Sequence, residues 1–205
     1  MLTVVDLGVG NLASLKAALR FIGADFEVSA DSEQVSAAQA IVLPGVGAFD
    51  AAVNRLDALG LRRPLTERSA ADVPILGICL GMQLLFAASE EGQADGLGIF
   101  DATVVRLGRK ASSKVPHVGF DRVEAEAGTW LKEALGPSPD YYFTHSFAAV
   151  ADPAGAAIGC CSYDGGFVAA IERWPVVGAQ FHPEKSQSSG LSFLAAFLRR
   201  ARSAT

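Results

Sequence analysis

One stretch, Val73-Pro74-Ile75-Leu76-Gly77-Ile78-Cys79-Leu80-Gly81-Met82-Gln83-Leu84-Leu85-Phe86, limits the fold of this chain more than any other. An apolar run ends in a cysteine flanked by two glycines, and a helix-like apolar pattern begins at once. Gly-x-Cys-x-Gly has the spacing of a nucleophile elbow, with a thiol in place of a hydroxyl. The glycines permit a tight strand-to-helix turn that lifts Cys79 out of the sheet. A helix behind it would point its N-terminus at the sulfur, which favours thiolate over thiol. The same residue also fits a structural core, where free cysteine is common. The rest of the chain has to decide between these readings.

A chain of 205 residues, half of them hydrophobic, can bury one sizeable core, so a single α/β domain spanning 1–205 is expected. The net charge of −5 argues against a general nucleic-acid surface. Three cysteines, two of them the adjacent Cys160 and Cys161, do not suggest a disulfide framework. Neighbours in an extended segment face opposite ways, which argues against a shared metal site. The absence of a leader-like or membrane-length apolar run leads to the expectation of a cytoplasmic protein.

Taken in order, Leu2 to Leu7 is an apolar run, followed by Gly8-Val9-Gly10-Asn11-Leu12-Ala13 and an amphipathic pattern through Ile22. This imitates the dinucleotide fingerprint, with Asp31 near the place of a ribose-binding acid; it equally fits an ordinary βα turn. Phe26 to Ser29 and Ala40 to Leu43 read as further strands, giving the rhythm of a parallel sheet. The third strand ends in Pro44-Gly45-Val46-Gly47-Ala48-Phe49, a loop whose backbone N–H groups could supply half of an oxyanion hole, the other half coming from Leu80. From Gly96 onward short apolar runs alternate with turns: 102–107, 117–123, 141–150, 156–163 and 167–173, with a hairpin signal at Asp164-Gly165-Gly166. These read as antiparallel strands added to the parallel sheet. Leu191, Phe193, Leu194, Ala195, Phe197 and Leu198 then describe an amphipathic C-terminal helix.

The chain has only three histidines. His117 opens a strand and is as consistent with packing as with function. His145 interrupts an apolar strand. His182 follows the apolar run Val176–Phe181 and precedes Pro183 and Glu184. Proline is expected to hold the segment extended, so that His182 and Glu184 project to one side. A carboxylate there can hold one imidazole nitrogen and aim the other, the base-and-orienter part of a triad. Cys79 and His182 both follow strands that end at one edge of a parallel sheet. Thiolate attack on a carbonyl, through a thioester that water hydrolyses, is therefore the expected chemistry.

Gly77-Ile78-Cys79-Leu80-Gly81-Met82-Gln83 and Gln180-Phe181-His182-Pro183-Glu184 resemble the two signatures of the class I (triad-type) glutamine amidotransferases. Finer features narrow the resemblance to the glutaminase subunits of imidazole glycerol phosphate synthases. They are Asp6 to Leu12, Pro44 to Phe49, Val115 to Phe120, Tyr142 to Phe147 and His182 to Ser186. The resemblance implies a mixed, mainly parallel central sheet flanked by helices, flavodoxin-like, with an added antiparallel region, and no dinucleotide site, cofactor or metal. It implies hydrolysis of glutamine, with ammonia passed to a (βα)8-barrel cyclase subunit in a heterodimer of histidine biosynthesis. Cys79 would be the nucleophile, His182 the base and Glu184 its orienter. Val46 and Leu80 would donate to the oxyanion, and Gly47, Gln83, His145, Ser146 and Phe147 would surround the glutamine. Asn11, Tyr142 and Lys185 would face the cyclase. Family members are nearly silent alone, because the Pro44–Gly47 loop rests with a carbonyl in the oxyanion position. Leu7, Phe120, Asp121 and Phe147 depart from the tyrosine, tryptophan, asparagine and tyrosine usual in the family. A paralogous subunit for surface-sugar amination and a cysteine α/β-hydrolase are the alternatives.

Overall fold

A computed structural model describes residues 1–8, 12–108, 110, 113–137 and 139–204. β1 (Leu2–Val5), α1 (Leu12–Phe21), β2 (Phe26–Ser29) and β3 (Ala40–Gly45) follow the apolar rhythm, with a short helix that it did not announce, α2 (Ser32–Ala37), between β2 and β3. Two helices, α3 (Phe49–Ala58) and α4 (Arg62–Ala70), precede β4 (Ile75–Cys79) and the one-turn helix α5 (Leu80–Gln83). Then come β5 (Phe86–Ser89), β6 (Phe100–Arg106), β7 (His117–Arg122), β8 (Glu124–Ala125) and α6 (Trp130–Leu135). The chain finishes with β9 (Asp140–His145), β10 (Phe147–Ala149), β11 (Ala157–Cys161), β12 (Phe167–Arg173), β13 (Val176–Ala179) and α7 (Gln187–Ser203).

Among the described residues the main sheet runs β2-β1-β3-β4-β13-β12-β11-β8. Its first five strands are parallel neighbours and its last three antiparallel. β1, β4 and β13 are buried at every residue, as their unbroken apolar runs require of strands covered on both faces. One apolar layer joins Val4, Val42, Leu76 and Ile78 to Leu19 of α1 and Phe193, Phe197 and Leu198 of α7. The opposite layer joins Val5, Ile41, Leu43 and Ile75 to Val35 of α2, Phe49 and Val53 of α3 and Leu65 of α4. Arg200 of α7 lies 4.0 Å from the Trp174 ring centroid and 4.7 Å from that of Trp130, so it packs as well as complementing the helix C-terminus.

The antiparallel half departs from expectation. Only β12, β11 and β8 join the main sheet; β10-β6-β5 and β7-β9 form separate small sheets. The run 141–150, read as one strand, breaks at Ser146 into β9 and β10, which pair with different partners. The break brings His145 and Phe147 into the same cleft wall as Ser146. The Asp164-Gly165-Gly166 signal does join two antiparallel strands, through a 3-10 turn over Tyr163–Gly165. Asp31, weighed as a ribose ligand, instead caps α2: its Oδ1 accepts from the N–H groups of Glu33 (2.8 Å) and Gln34 (3.0 Å).

Candidate active site

At the end of β4 the Cys79 backbone sits at φ 53°, ψ −111°, a conformation that persists only where the surroundings enforce it. The two glycines allow the enforcement. A Cβ on Gly77 would lie 2.7 Å from the Gly81 carbonyl oxygen and 2.8 Å from Met82 N. One on Gly81 would run into the Leu43 carbonyl of β3. α5 therefore lies directly on β3 and β4, and Cys79, 6% exposed, stands at the corner. The helix is shorter than the apolar pattern predicts. The Leu84 and Leu85 carbonyls accept from Leu97 N (2.8 Å) and Phe100 N (3.0 Å), so the helical ladder ends and the chain turns into β5.

His182 follows β13 beside β4. Pro183 does not keep the segment extended as expected. It takes the first position of a 3-10 turn, Pro183–Lys185, for which its fixed φ is suited. The pairing predicted for a strand forms through this turn instead, with His182 Nδ1 2.8 Å from Glu184 Oε1. His182 Nε2 is buried and has no hydrogen bond of regular geometry, although Cys79 is near enough to act on its charge. Burial opposes the imidazolium, but the nearby Cys79 sulfur and the Glu184 carboxylate outweigh it and lift His182 to about 9.

A cleft of about 340 Å³ opens at Cys79, lined by Val46, Gly47, Leu80, Gln83, His145, Ser146 and Phe147 among others. The structure thus brings together every residue that the resemblance assigned to oxyanion and glutamine. Leu80 opens α5, where the first helical N–H groups have no partner within the helix. The ring nitrogens of His145 are both engaged. Nδ1 lies 2.9 Å from the Phe147 carbonyl, which can only accept, so Nδ1 carries the proton. Nε2 then accepts from His117 Nδ1 at 3.1 Å. Burial pushes His145 down to about 3 and lowers His117 against the pull of Asp121, whose Oδ2 is 3.7 Å from His117 Nε2. What His145 offers a ligand is its backbone and ring edge, held by His117 and the Phe147 carbonyl.

Glu91 also lines the cleft, and no motif in the sequence marked it. Its Oε2 accepts from Phe49 N at 2.8 Å, tying it to the end of the Pro44–Phe49 loop. Among the described residues no group of three or more His, Cys, Asp or Glu is arranged to hold a metal ion. Tyr142 and Lys185 lie together, Nζ 5.7 Å from the ring centroid, whereas Asn11 falls outside the described residues. Of the departures, Leu7 is core, Phe147 lines the cleft, Asp121 lies 3.7 Å from His117 Nε2 and Phe120 is 52% exposed.

A strained cysteine at a strand end, a histidine–carboxylate pair beside it and a small cleft in front are the arrangement of a cysteine hydrolase. The chain belongs to the class-I glutamine amidotransferase family, whose model matches residues 3–201. Within that family it is 40% identical over 200 residues to the imidazole glycerol phosphate synthase subunit HisH of Rhodopirellula baltica, covering 96% of each chain. It is 38% identical to the HisH subunit of Salinibacter ruber, over 95% of this chain and 92% of the relative. The solved structure of a glutamine amidotransferase superposes with a TM-score of 0.78 at 19% identity, covering 98% of both chains, and carries the fold alone. No described helix is long and apolar enough to cross a membrane.

Proposed function

We propose that this chain, as one domain spanning 1–205, is the glutaminase subunit of an imidazole glycerol phosphate synthase, working in the cytoplasm as a heterodimer with a (βα)8-barrel cyclase. It hydrolyses glutamine to glutamate and ammonia, and the ammonia is used by the partner to form imidazole glycerol phosphate and aminoimidazole carboxamide ribotide. The observation that carries the reading is the strained Cys79 facing a His182 held at 2.8 Å by Glu184.

Glutamine enters the cleft with its side-chain carboxamide against Cys79. With its proton already resting on His182 Nε2, Sγ attacks the amide carbon, and Glu184 stabilises the imidazolium. The oxyanion accepts from the backbone N–H groups of Val46 and Leu80, each such donor being worth about 2.7–4 kcal/mol in the transition state. The intermediate collapses, the C–N bond breaks, and the leaving nitrogen takes the proton from His182 to depart as ammonia. Water, deprotonated by His182, then cleaves the thioester to release glutamate. Gly47, Gln83, Ser146, Phe147 and the His145 backbone surround the substrate, and the Glu91 carboxylate suits its α-ammonium group.

The partner docks on the face bearing Phe120, Val118, Tyr142 and Lys185, where Val118 and Phe120 are exposed. This face is wired to the base: His182 N donates to the Tyr142 carbonyl (2.8 Å), Tyr142 N donates to Ser186 Oγ (2.9 Å), and Ser186 Oγ donates to the His182 carbonyl (2.6 Å). A shift of Tyr142 on docking therefore moves His182. Lys185→Ala is expected to lower partner-stimulated glutamate release by about 3- to 30-fold while basal release stays within twofold. Equal loss in both states would remove Lys185 from the coupling.

The direct test is glutamate release with and without the cyclase and its ligand. Weak turnover alone and strong turnover in the complex is expected. Strong turnover by the isolated chain would overturn the dependence on a partner, and no turnover in either state would overturn the glutaminase reading.

A further inference from the structure

Gln180 is wholly buried between β13 and His182, in an otherwise apolar run, and a buried carboxamide without partners would be costly. Its partners form a directed chain. The Phe147 carbonyl can only accept, so Gln83 Nε2, 2.9 Å away, must donate to it. The second hydrogen of the same nitrogen then points to Gln180 Oε1 at 3.1 Å, which fixes the Gln180 amide with its oxygen towards Gln83. The Gln180 amide nitrogen is left facing Cys79 Sγ at 3.7 Å, within reach of a hydrogen bond to sulfur.

Resting on the reading of Cys79 as nucleophile, we infer that Gln180 is a further catalytic residue: its carboxamide N–H, aimed by Gln83, donates to the Cys79 sulfur and stabilises the thiolate that attacks. This gives the sulfur a donor distinct from His182, one that stays in place while His182 carries the proton to the leaving nitrogen. It also gives Gln83 a second task besides lining the cleft, since loss of its amide would release the Gln180 amide to rotate.

Among the described residues the charged and titratable groups around the sulfur are few. His182 lies on one side with Glu184 behind it, and Glu91 and His145 line the same cleft. Neither the Pro44–Ala48 loop nor α5 carries a charge.

The test is the pH dependence of Cys79 alkylation by iodoacetamide on the full chain. The Cys79 peptide is quantified by mass spectrometry so that Cys160 and Cys161 do not contribute. Gln180→Met keeps the bulk and removes the donor; Gln180→Glu keeps the shape and places an acceptor at the sulfur. The alkylation midpoint is expected to rise by about half a unit to one unit in Gln180→Met and further in Gln180→Glu. Turnover of the complex is expected to fall about tenfold or more in Gln180→Met with KM little changed. Midpoints unchanged in both variants, or moved equally by both, would overturn the assignment while leaving Cys79 as nucleophile. A wild-type Cys79 inert across the whole range would overturn the nucleophile reading, and the role of Gln180 with it.

Discussion

Gly81→Ala is expected to cost about 3 kcal/mol of stability and to abolish measurable glutamate release. Overpacking a filled site usually costs about 1–3 kcal/mol, and the upper end applies where the obstructing atom cannot rotate away. Here the new methyl would meet the Leu43 carbonyl of β3, a backbone atom in the centre of the main sheet. The only relief is to lift α5 off β3, which carries Leu80 away from Val46 and relaxes the backbone at Cys79. Folding and chemistry should therefore fail together. Gly155→Ala is the control. Gly155, unlike Gly81, sits at a positive φ, +74°, but with open space around it, so the substitution should cost about 1 kcal/mol through backbone strain alone and leave turnover intact. Urea midpoints and glutamate release in complex with the cyclase check both variants. A Gly81→Ala chain with wild-type stability would mean that α5 does not sit against β3 as described.

The same contact explains why the elbow was legible before any coordinates. Two glycines bracketing a nucleophile after an apolar run leave few other folds, and the unbroken apolar character of β1, β4 and β13 marked the buried centre of the sheet. Helix length after the elbow was not legible, because Leu84, Leu85 and Phe86 suit a buried helix and a buried strand equally. The Leu97 and Phe100 N–H groups decide between them, and they arrive from a later segment. The His182–Glu184 pairing was foreseen while its backbone was not, since residues two apart meet in both an extended strand and a 3-10 turn. α2 escaped although Asp31-Ser32-Glu33 carries a capping signal; six residues with one buried side chain, Val35, give no visible period.

Polar residues fared worse for a physical reason. Glu91 belongs to the cleft because Phe49 N holds its carboxylate there, a contact across 42 positions that no local pattern announces. Gln180 did leave a trace, an amide amid apolar neighbours, which calls for buried partners without saying which. Its meaning depends on Gln83 and Phe147, one from α5 and one from β10, brought together only by the fold. The departures from the family pattern divide in the same way. Leu7 is an apolar replacement that the core absorbs, whereas Asp121 is a polar one whose carboxylate lies 3.7 Å from His117 Nε2.

Glu184→Gln is expected to lower turnover about 10³- to 10⁴-fold with the fold intact, because an amide can present its N–H to His182 Nδ1 and reverse the tautomer that the mechanism needs. Glu184 accepts at 2.8 Å from a ring that is almost wholly buried, so the imidazolium has no solvent to stabilise it in place of the carboxylate. The pH dependence carries the same signature. His182 is raised in the folded protein to about 9 from an ordinary 6.5, so its contribution to stability is fully present below about pH 6.5 and is lost as pH rises through about 9. Removing the carboxylate removes one of the two supports for that raised value. The stability difference between wild type and Glu184→Gln should therefore be largest at pH 6 and should shrink by pH 10. Thermal midpoints across that range, read beside glutamate release at pH 8, check the two consequences together. A difference that stays constant with pH would mean that the carboxylate merely positions a neutral ring, and turnover within tenfold of wild type would remove Glu184 from the triad.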